Sequence, residues 1–217
     1  MGATKPDRPI GRPRDPERTR QRQEEILAAA AVAFARRGYD ATDMEEVGKA
    51  VGVTKAAIYY YFESKESLFL AAVDHGMRLL SGAVQARSGR VDDPLERIGE
   101  AIRAYLRFFH DHPQFIELLI QERAAFRDRK QSTYFEHRAA SAERWRDVFA
   151  GLIRGGRVRG LPVDRLLDVI SDQLYGAMFT AHFTGGRRSP DEQAADIIDI
   201  VIGGMLTPAE RRKNRGC

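Results

Sequence analysis

The side chains best suited to binding another molecule are concentrated in residues 54–65. Lys55 can donate hydrogen bonds to the O6 and N7 atoms of guanine, and the methyl groups of Ala56 and Ala57 match the methyl group of thymine. The hydroxyl groups of three consecutive tyrosines suit phosphate oxygens: Tyr59, Tyr60 and Tyr61. Consecutive helical positions point about 100° apart, so at least one ring must face outward even if the others only pack against neighbouring helices. This stretch predicts contact with DNA.

These side chains lie in a segment with the pattern of a helix-turn-helix. Residues 45–62, EEVGKAVGVTKAAIYYYF, predict a helix, a turn at Gly52 and a second short helix that Thr54 caps through its hydroxyl group. Gly48 lacks a β-carbon where the two helices are expected to cross closely. The apolar side of the pair comprises Val47, Val51, Val53, Ile58 and Phe62. In such a unit the second helix enters the major groove, with its first residues at the base edges.

Three further positions are predicted to contact DNA. Thr42 and Thr54 stand at the starts of the two helices, and Lys65 stands at the start of the next one, where backbone amides and its own charge favour a phosphate. An acid at Asp43 or Glu45 would repel phosphate, so no DNA contact is expected from those two side chains. Asp43 is interpreted as a helix cap.

The N-terminal residues carry the positive charge of the chain. Residues 1–22 hold seven basic and three acidic side chains, an excess of four that equals the net charge of +4. Prolines prevent regular structure until about Glu17. Residues 11–14, Gly-Arg-Pro-Arg, are similar to the core of an AT-hook, in which Arg12 and Arg14 would enter a narrow minor groove. The alternative is a nonspecific tether to phosphates that raises affinity and salt dependence.

Beyond a boundary at residues 88–93, the chain has the pattern of five amphipathic helices. Their inward faces carry aromatic and large apolar residues, which form either plain core or the wall of an apolar cavity. The residues assigned to a small-molecule site are Phe109, Phe115, Leu119, Glu122, Trp145, Phe149, Tyr175, Met178, Phe179 and His182. This composition predicts an apolar or aromatic ligand, and Glu122 would favour a cationic one.

Other classes of protein have no support in the sequence. No alternating strand pattern is present, so the chain is predicted to be all-α. The longest apolar run, residues 26–35, is too short to span a membrane, and the basic N-terminus lacks the apolar stretch of a signal peptide, so a cytoplasmic location is expected. The chain has a single cysteine, Cys217, which has no neighbouring thiol for a metal site. Three consecutive residues, His110, Asp111 and His112, are not expected to bind a metal either, because adjacent helix positions do not converge on one ion. We expect no metal, cofactor or enzyme activity, since no catalytic motif is present.

Two segments resemble the DNA-binding domain of the tetracycline-repressor (TetR) family. They are GYDAT, residues 38–42, and GVTKAAIYYYFESK, residues 52–65. The second matches the family pattern of Gly-Val-Ser/Thr followed by spaced aromatic residues, Phe and Lys. The resemblance implies phosphate contacts at Tyr59, Tyr61 and Lys65, and base contacts at Lys55, Ala56 and Ala57. The chain departs from the family at Asp43, where Ser or Thr is common, and at Glu45, where a basic residue is frequent.

The resemblance also implies an architecture of about nine helices. It predicts an N-terminal helix-turn-helix DNA-binding domain in residues 18–82 and a C-terminal helical domain for ligand binding and dimerisation in residues 93–207. A basic arm, residues 1–17, and a basic tail, residues 208–217, would flank these domains.

The implied function is that of a sequence-specific transcriptional regulator, a repressor that a small-molecule effector releases from its operator. Family members form homodimers through their last two long helices, here residues 162–183 and 190–206. Such a dimer suits a palindromic operator with half-sites about one DNA turn apart. The alternative is a DNA-binding regulator without an effector, whose C-terminal domain serves protein contacts.

Overall fold

The computed structural model describes residues 16–214, which form helices joined by short connections. The helices are α1 (Pro16–Arg37), α2 (Met44–Val51), α3 (Lys55–Tyr61), α4 (Lys65–Ser88), α5 (Pro94–Asp111), α6 (Gln114–Ala125), α7 (Thr133–Arg154), α8 (Val163–Phe183), α9 (Pro190–Asp196), a π-helical continuation (Ile197–Ile202), α10 (Gly203–Met205) and α11 (Pro208–Asn214). The described part of the chain contains no strand, and none of its helices is long and apolar enough to cross a membrane. The all-α prediction is confirmed.

Caps and glycines set the geometry of α2 and α3. Asp43 and Thr54 cap the two helices through their side-chain oxygens, which confirms the interpretation of Asp43 as a cap. Gly52 ends α2 with a φ of 69°, in the left-handed region that favours glycine. A β-carbon on Gly48 would lie 2.6 Å from the carbonyl oxygen of Val53 in the turn and 3.5 Å from the side chain of Ile58 in α3, so Gly48 stands at a close approach, as the sequence predicts.

Helix α4 joins the two halves of the molecule. It continues without interruption past residue 82, where the predicted N-terminal domain ends. It packs against α1 and α6 as well as α5 and α7. The ring of Phe69 meets that of Phe34 in α1 at 5.0 Å, and a β-carbon on Gly76 would lie 2.2 Å from the ring of Phe115 in α6. One helix therefore contacts both halves directly.

The end of the described chain is packed against the C-terminal half. Residues 208–217, predicted as a basic tail, begin with α11, in which Glu210 is buried and accepts hydrogen bonds from the Arg157 guanidinium (3.0 and 2.9 Å). Arg211 donates to the carbonyl oxygens of Gly203 and Gly204 (3.1 and 2.9 Å). Residues 208–214 are thus part of the folded structure.

Candidate DNA-binding face and effector pocket

The first turn of α3 presents the residues predicted to contact bases. Lys55 and Ala56 are exposed, and Ala57 is half-buried. Thr54 is exposed as well; its hydroxyl oxygen accepts a hydrogen bond from the backbone N–H of Ala57 (3.1 Å), which leaves the hydroxyl proton for another acceptor. On the opposite side of the helix, Ile58 is fully buried. The first turn of α3 is therefore exposed to solvent on one side and anchored in the core by Ile58 on the other.

The tyrosine run presents two exposed rings. Tyr59 is 41% exposed and Tyr60 is 59% exposed, whereas Tyr61 is half-buried. The rings of Tyr60 and Tyr61 lie edge-on with their centroids 5.2 Å apart. The expectation that at least one ring faces outward is confirmed.

Thr42 lies away from this face. Its side chain is 3% exposed, and its hydroxyl group donates a hydrogen bond to the carbonyl oxygen of Gly38 (2.7 Å) in the turn after α1. Because the side chain is buried and its proton is used, Thr42 stabilises the turn instead of reaching DNA. Arg12 and Arg14, the other predicted contacts away from α3, lie outside the described residues.

The acidic groups beside α3 are engaged within the protein. Asp43 accepts the backbone N–H of Glu45 (2.9 Å), and this hydrogen bond, with the nearby Lys55 ammonium, lowers the pKa of the Asp43 carboxyl group. The Lys55 Nζ lies 3.5 Å from Asp43 Oδ1, and Glu45 pairs with Lys49 at 2.8 Å. Both carboxylates are thus partly balanced by neighbouring lysines.

Lys65, the first residue of α4, is held in a defined position. Its Nζ donates a hydrogen bond to the carbonyl oxygen of Asp40 (2.8 Å) and lies 5.1 Å from the ring centroid of Tyr39. An ammonium group carries three N–H donors, so two remain after this bond. The side chain is half-buried and has donors left for a phosphate beside the α3 face.

A pocket of about 160 Å³ lies between α4, α5, α7 and α8. Trp145 and Phe149 line it, as the sequence analysis expected. Helix α4 supplies four lining residues that were not predicted: Met77, Leu80, Ser81 and Val84. Sequence reasoning missed them because it ended the N-terminal domain at residue 82 and assigned α4 to DNA binding alone.

Two tyrosine hydroxyl groups meet at this pocket. The hydroxyl oxygens of Tyr105 and Tyr134 lie 2.9 Å apart, and the Tyr105 hydroxyl is 3.7 Å from the sulfur of Met178. Burial raises the pKa of both phenols, that of Tyr134 to about 12, so both stay protonated near neutral pH. They are therefore neutral hydrogen-bonding groups in a wall that is mainly apolar.

Three predicted ligand contacts lie in a different cavity. Phe109, Met178 and His182 line a space of about 220 Å³ between α5, α6 and α8. The His182 Nε2 lies 2.7 Å from Glu117 Oε1 at its edge. The sequence placed these residues in one site with Trp145, but helix periodicity does not show which of several gaps an inward side chain enters.

The remaining predicted contacts are structural or lie along α8. The ring of Phe115 stacks with that of Phe108 at 5.8 Å, and Leu119 is buried in the core. Tyr175 and Phe179 are half-buried along α8, with their ring centroids 4.8 Å apart.

Glu122 does not line the pocket. It is buried, accepts hydrogen bonds from the backbone N–H (2.9 Å) and the hydroxyl group (2.8 Å) of Thr133, and pairs with Arg129. The carboxylate thus fixes the start of α7. The argument for a cationic ligand, which depended on Glu122, is lost.

Helix α8 and the π-helical segment expose large apolar side chains. Phe183 is 69% exposed and Ile200 is 71% exposed, and Val169 is also exposed. A β-carbon on Gly176 would meet no atom within 4 Å. Large exposed apolar side chains on neighbouring helices mark a surface suited to contact with another protein chain.

Family models match both halves of the chain. Residues 26–72 match "Bacterial regulatory proteins, tetR family", and residues 91–205 match "Tetracyclin repressor-like, C-terminal domain". The first contains α2 and α3, and the second contains the helices that form most of the pocket. The two halves of the chain are thus assigned independently.

Relatives and solved structures agree with this assignment. The chain is 26% identical over 196 residues to the HTH-type transcriptional repressor KstR2 of Mycolicibacterium smegmatis (89% of this chain, 95% of the relative). It is 32% identical over 199 residues to the uncharacterized HTH-type transcriptional regulator Rv1556 of Mycobacterium tuberculosis (90% and 93%).

Two solved structures share the fold. The fatty acid degradation regulator FadR of Bacillus halodurans has a TM-score of 0.71 at 14% identity, covering 84% of this chain and 98% of that one. The ketosteroid transcriptional regulator KstR2 of Mycobacterium tuberculosis has a TM-score of 0.62 at 22% identity (86% and 95%). The family models over both halves of the chain and the 32% identity to Rv1556 show that the chain is a DNA-binding transcriptional regulator of the TetR family.

Proposed function

We propose that this regulator is a repressor that binds a palindromic operator as a homodimer and leaves it when an apolar small molecule occupies the pocket between α4, α5, α7 and α8. The observation that carries the proposal is the path of α4. Lys65, at one end, lies beside the DNA-binding face, and Leu80 and Val84, near the other end, line the pocket. The same helix therefore touches both sites.

DNA is held by α3 and its surroundings. The base contacts are Lys55, Ala56 and Ala57 in the major groove, and the phosphate contacts are Thr54, Tyr59, Tyr60, Tyr61 and Lys65. Arg12 and Arg14 add contacts from the basic arm in the minor groove. The exposed rings of Tyr59 and Tyr60 and the spare N–H groups of Lys65 support this assignment.

A second copy of the chain covers the exposed apolar side chains of α8 and the π-helical segment. Phe183, Ile200 and Val169 would then lose their contact with water, which stabilises association by about 25 cal/mol per Å² of apolar surface buried. A twofold dimer presents two α3 helices in the relation that a palindromic operator requires.

Release requires the effector to bind the two conformations of the dimer with different affinity, since tight binding alone shifts no equilibrium. The pocket is lined mainly by apolar side chains, and two proteins of the same fold are named a ketosteroid transcriptional regulator and a fatty acid degradation regulator. An apolar effector agrees with both. The alternative, a regulator whose C-terminal domain serves only protein contacts, does not account for the pocket.

The test begins with selection of bound fragments from random DNA, followed by titration of the selected operator. Lys55→Ala is expected to weaken operator binding by about 5- to 100-fold and to relax base preference at one position of each half-site. Lys130→Ala, which removes the same charge from the exposed connection between α6 and α7, is the matched control and should leave affinity unchanged. Equal affinity of the two variants would contradict the assigned face.

Lys65→Ala separates phosphate contacts from base contacts. It is expected to weaken binding to all sequences alike and to reduce the salt slope by about 1, because one fewer phosphate is neutralised. The measurement is the operator dissociation constant at four or more salt concentrations. An unchanged slope would show that the ammonium group stays on the Asp40 carbonyl oxygen and does not contact DNA.

A further inference from the structure

The pocket is lined by basic side chains but by no acidic ones. No aspartate or glutamate lines it, whereas three residues with basic side chains do: His137, Arg138 and Arg144. All three belong to α7, on the side that also carries Ser141 and Trp145 into the pocket. The apolar wall comes mainly from the other three helices. The pocket thus has an apolar body and one basic edge.

The three basic groups differ in their partners. The His137 Nε2 lies 2.7 Å from Asp74 Oδ1 of α4. Arg138 is largely buried and pairs with two exposed carboxylates of α8, Asp172 at 2.7 Å and Asp168 at 3.2 Å. Arg144 has no ion pair or hydrogen bond to any described residue. Among the described residues, Arg144 is therefore the basic group at this edge whose charge no carboxylate balances, whereas Arg138 keeps N–H donors beyond its two ion pairs.

We propose that the effector is an apolar molecule with a single acidic group, whose apolar part fills the pocket and whose carboxylate pairs with Arg144, with Arg138 as the second donor. The proposal rests on the proposed function and specifies its ligand. A guanidinium group offers a carboxylate two parallel N–H donors, and this pairing is stronger where water is partly excluded. A cationic ligand would meet positive charge and no lining carboxylate.

The size of the pocket selects the probes. A cavity of about 150 Å³ in another protein accommodates benzene, so a pocket of about 160 Å³ suits one ring or a short chain. Two matched pairs differ only in their head group: 4-phenylbutanoate with 4-phenylbutan-1-ol, and octanoate with 1-octanol. Trp145, which lines the pocket, is the only tryptophan of the chain, so its fluorescence reports occupancy directly.

For the full-length protein, each acid is expected to bind at least tenfold more tightly than its alcohol. Arg144→Gln should bring this ratio close to one, and because Arg144 is exposed and unpaired, this variant should fold normally. Arg154→Gln, which removes an exposed arginine of the same helix that does not line the pocket, is the matched control and should retain the full ratio. Arg138→Gln should reduce the ratio partly.

Three results would overturn the proposal and leave the proposed function intact. Equal binding of acids and alcohols would show that the pocket takes neutral apolar ligands. A preference for acids that persists in both arginine variants would place the acidic group elsewhere. Failure of all four probes to change Trp145 fluorescence would also overturn it. Operator release, measured separately with the selected DNA, judges the proposed function on its own.

Discussion

The proposed DNA-binding face and the proposed effector pocket are built in different ways. The face is formed almost entirely by residues 54–65, a continuous stretch whose side chains are placed by one short helix and its caps. The pocket takes its wall from four helices, with lining residues as distant in sequence as Met77 and Leu174. The first site is therefore a local property of the chain, and the second exists only after the helices have packed.

The largest effect is expected from separating the two copies of the chain. Ile200→Glu places a charge in the proposed dimer surface and is expected to give monomers, since an unpaired charge cannot be buried there without a large penalty. Operator affinity should fall by about 100-fold or more, because each α3 then binds alone. Sedimentation and operator titration measure the two effects.

The control for this variant adds the same charge elsewhere. Leu79→Glu changes an exposed leucine of α4, outside the proposed dimer surface, and should remain dimeric. If Ile200→Glu binds the operator as tightly as the unmodified chain, the DNA-binding face acts without a partner, and the dimer surface lies elsewhere.

A smaller effect is expected from disturbing the contact between α4 and α6, which connects the two regions. Gly76→Ala places a β-carbon 2.2 Å from the ring of Phe115, so either α4 or the buried ring must shift. Overpacking of this kind is expected to destabilise the protein by about 1–3 kcal/mol in urea unfolding.

Gly82→Ala lies on the same helix and meets no atom within 4 Å. It should instead stabilise the protein by up to about 1 kcal/mol, because alanine is the better helix former. Similar effects of the two substitutions would mean that α4 and α6 do not contact each other tightly at this point.

The third and smallest effect comes from His75, a buried histidine of α4. Burial lowers its pKa, and the nearby Arg78 lowers it further, so the folded protein holds His75 neutral. The folded state then binds fewer protons than the unfolded state, so stability is complete above about pH 6.5 and is lost as the pH falls through the folded pKa. Urea unfolding between pH 7.5 and 5 measures this loss.

His75→Asn should make that stability profile flatter in the same range. If the profile keeps its slope in this variant, other groups, and not the histidine of α4, cause the loss.

The local structure of α2, the turn and α3 could be predicted because its determinants are close in sequence. At this spacing each of three residues indicates one local structure: Thr54 a helix cap, Gly52 a left-handed turn and Gly48 a close approach of the backbone. Thr42 is the exception, since its hydroxyl group faces Gly38 and not solvent. A threonine before a helix can do either, and only the packing of the preceding turn decides.

The pocket could be predicted only in part. Trp145 and Phe149 were correctly placed, but an inward-facing aromatic residue on a helix can enter any of several gaps, as Phe109 does. Glu122 was misassigned because its partner, Thr133, lies on the next helix and is brought to it by the connection between them. Contacts of this kind depend on helix positions that periodicity does not specify.

Because α4 is uninterrupted, a tilt of the helix at one end displaces its other end. Lys65 and Leu80 are fifteen positions apart, which corresponds to about 22 Å along a helix axis. A tilt of about 5° at the pocket end would displace Lys65 by about 2 Å over that length. In the proposed dimer the displacements of the two α4 helices would add, so a small change in each pocket would move both α3 helices out of register with successive turns of the double helix.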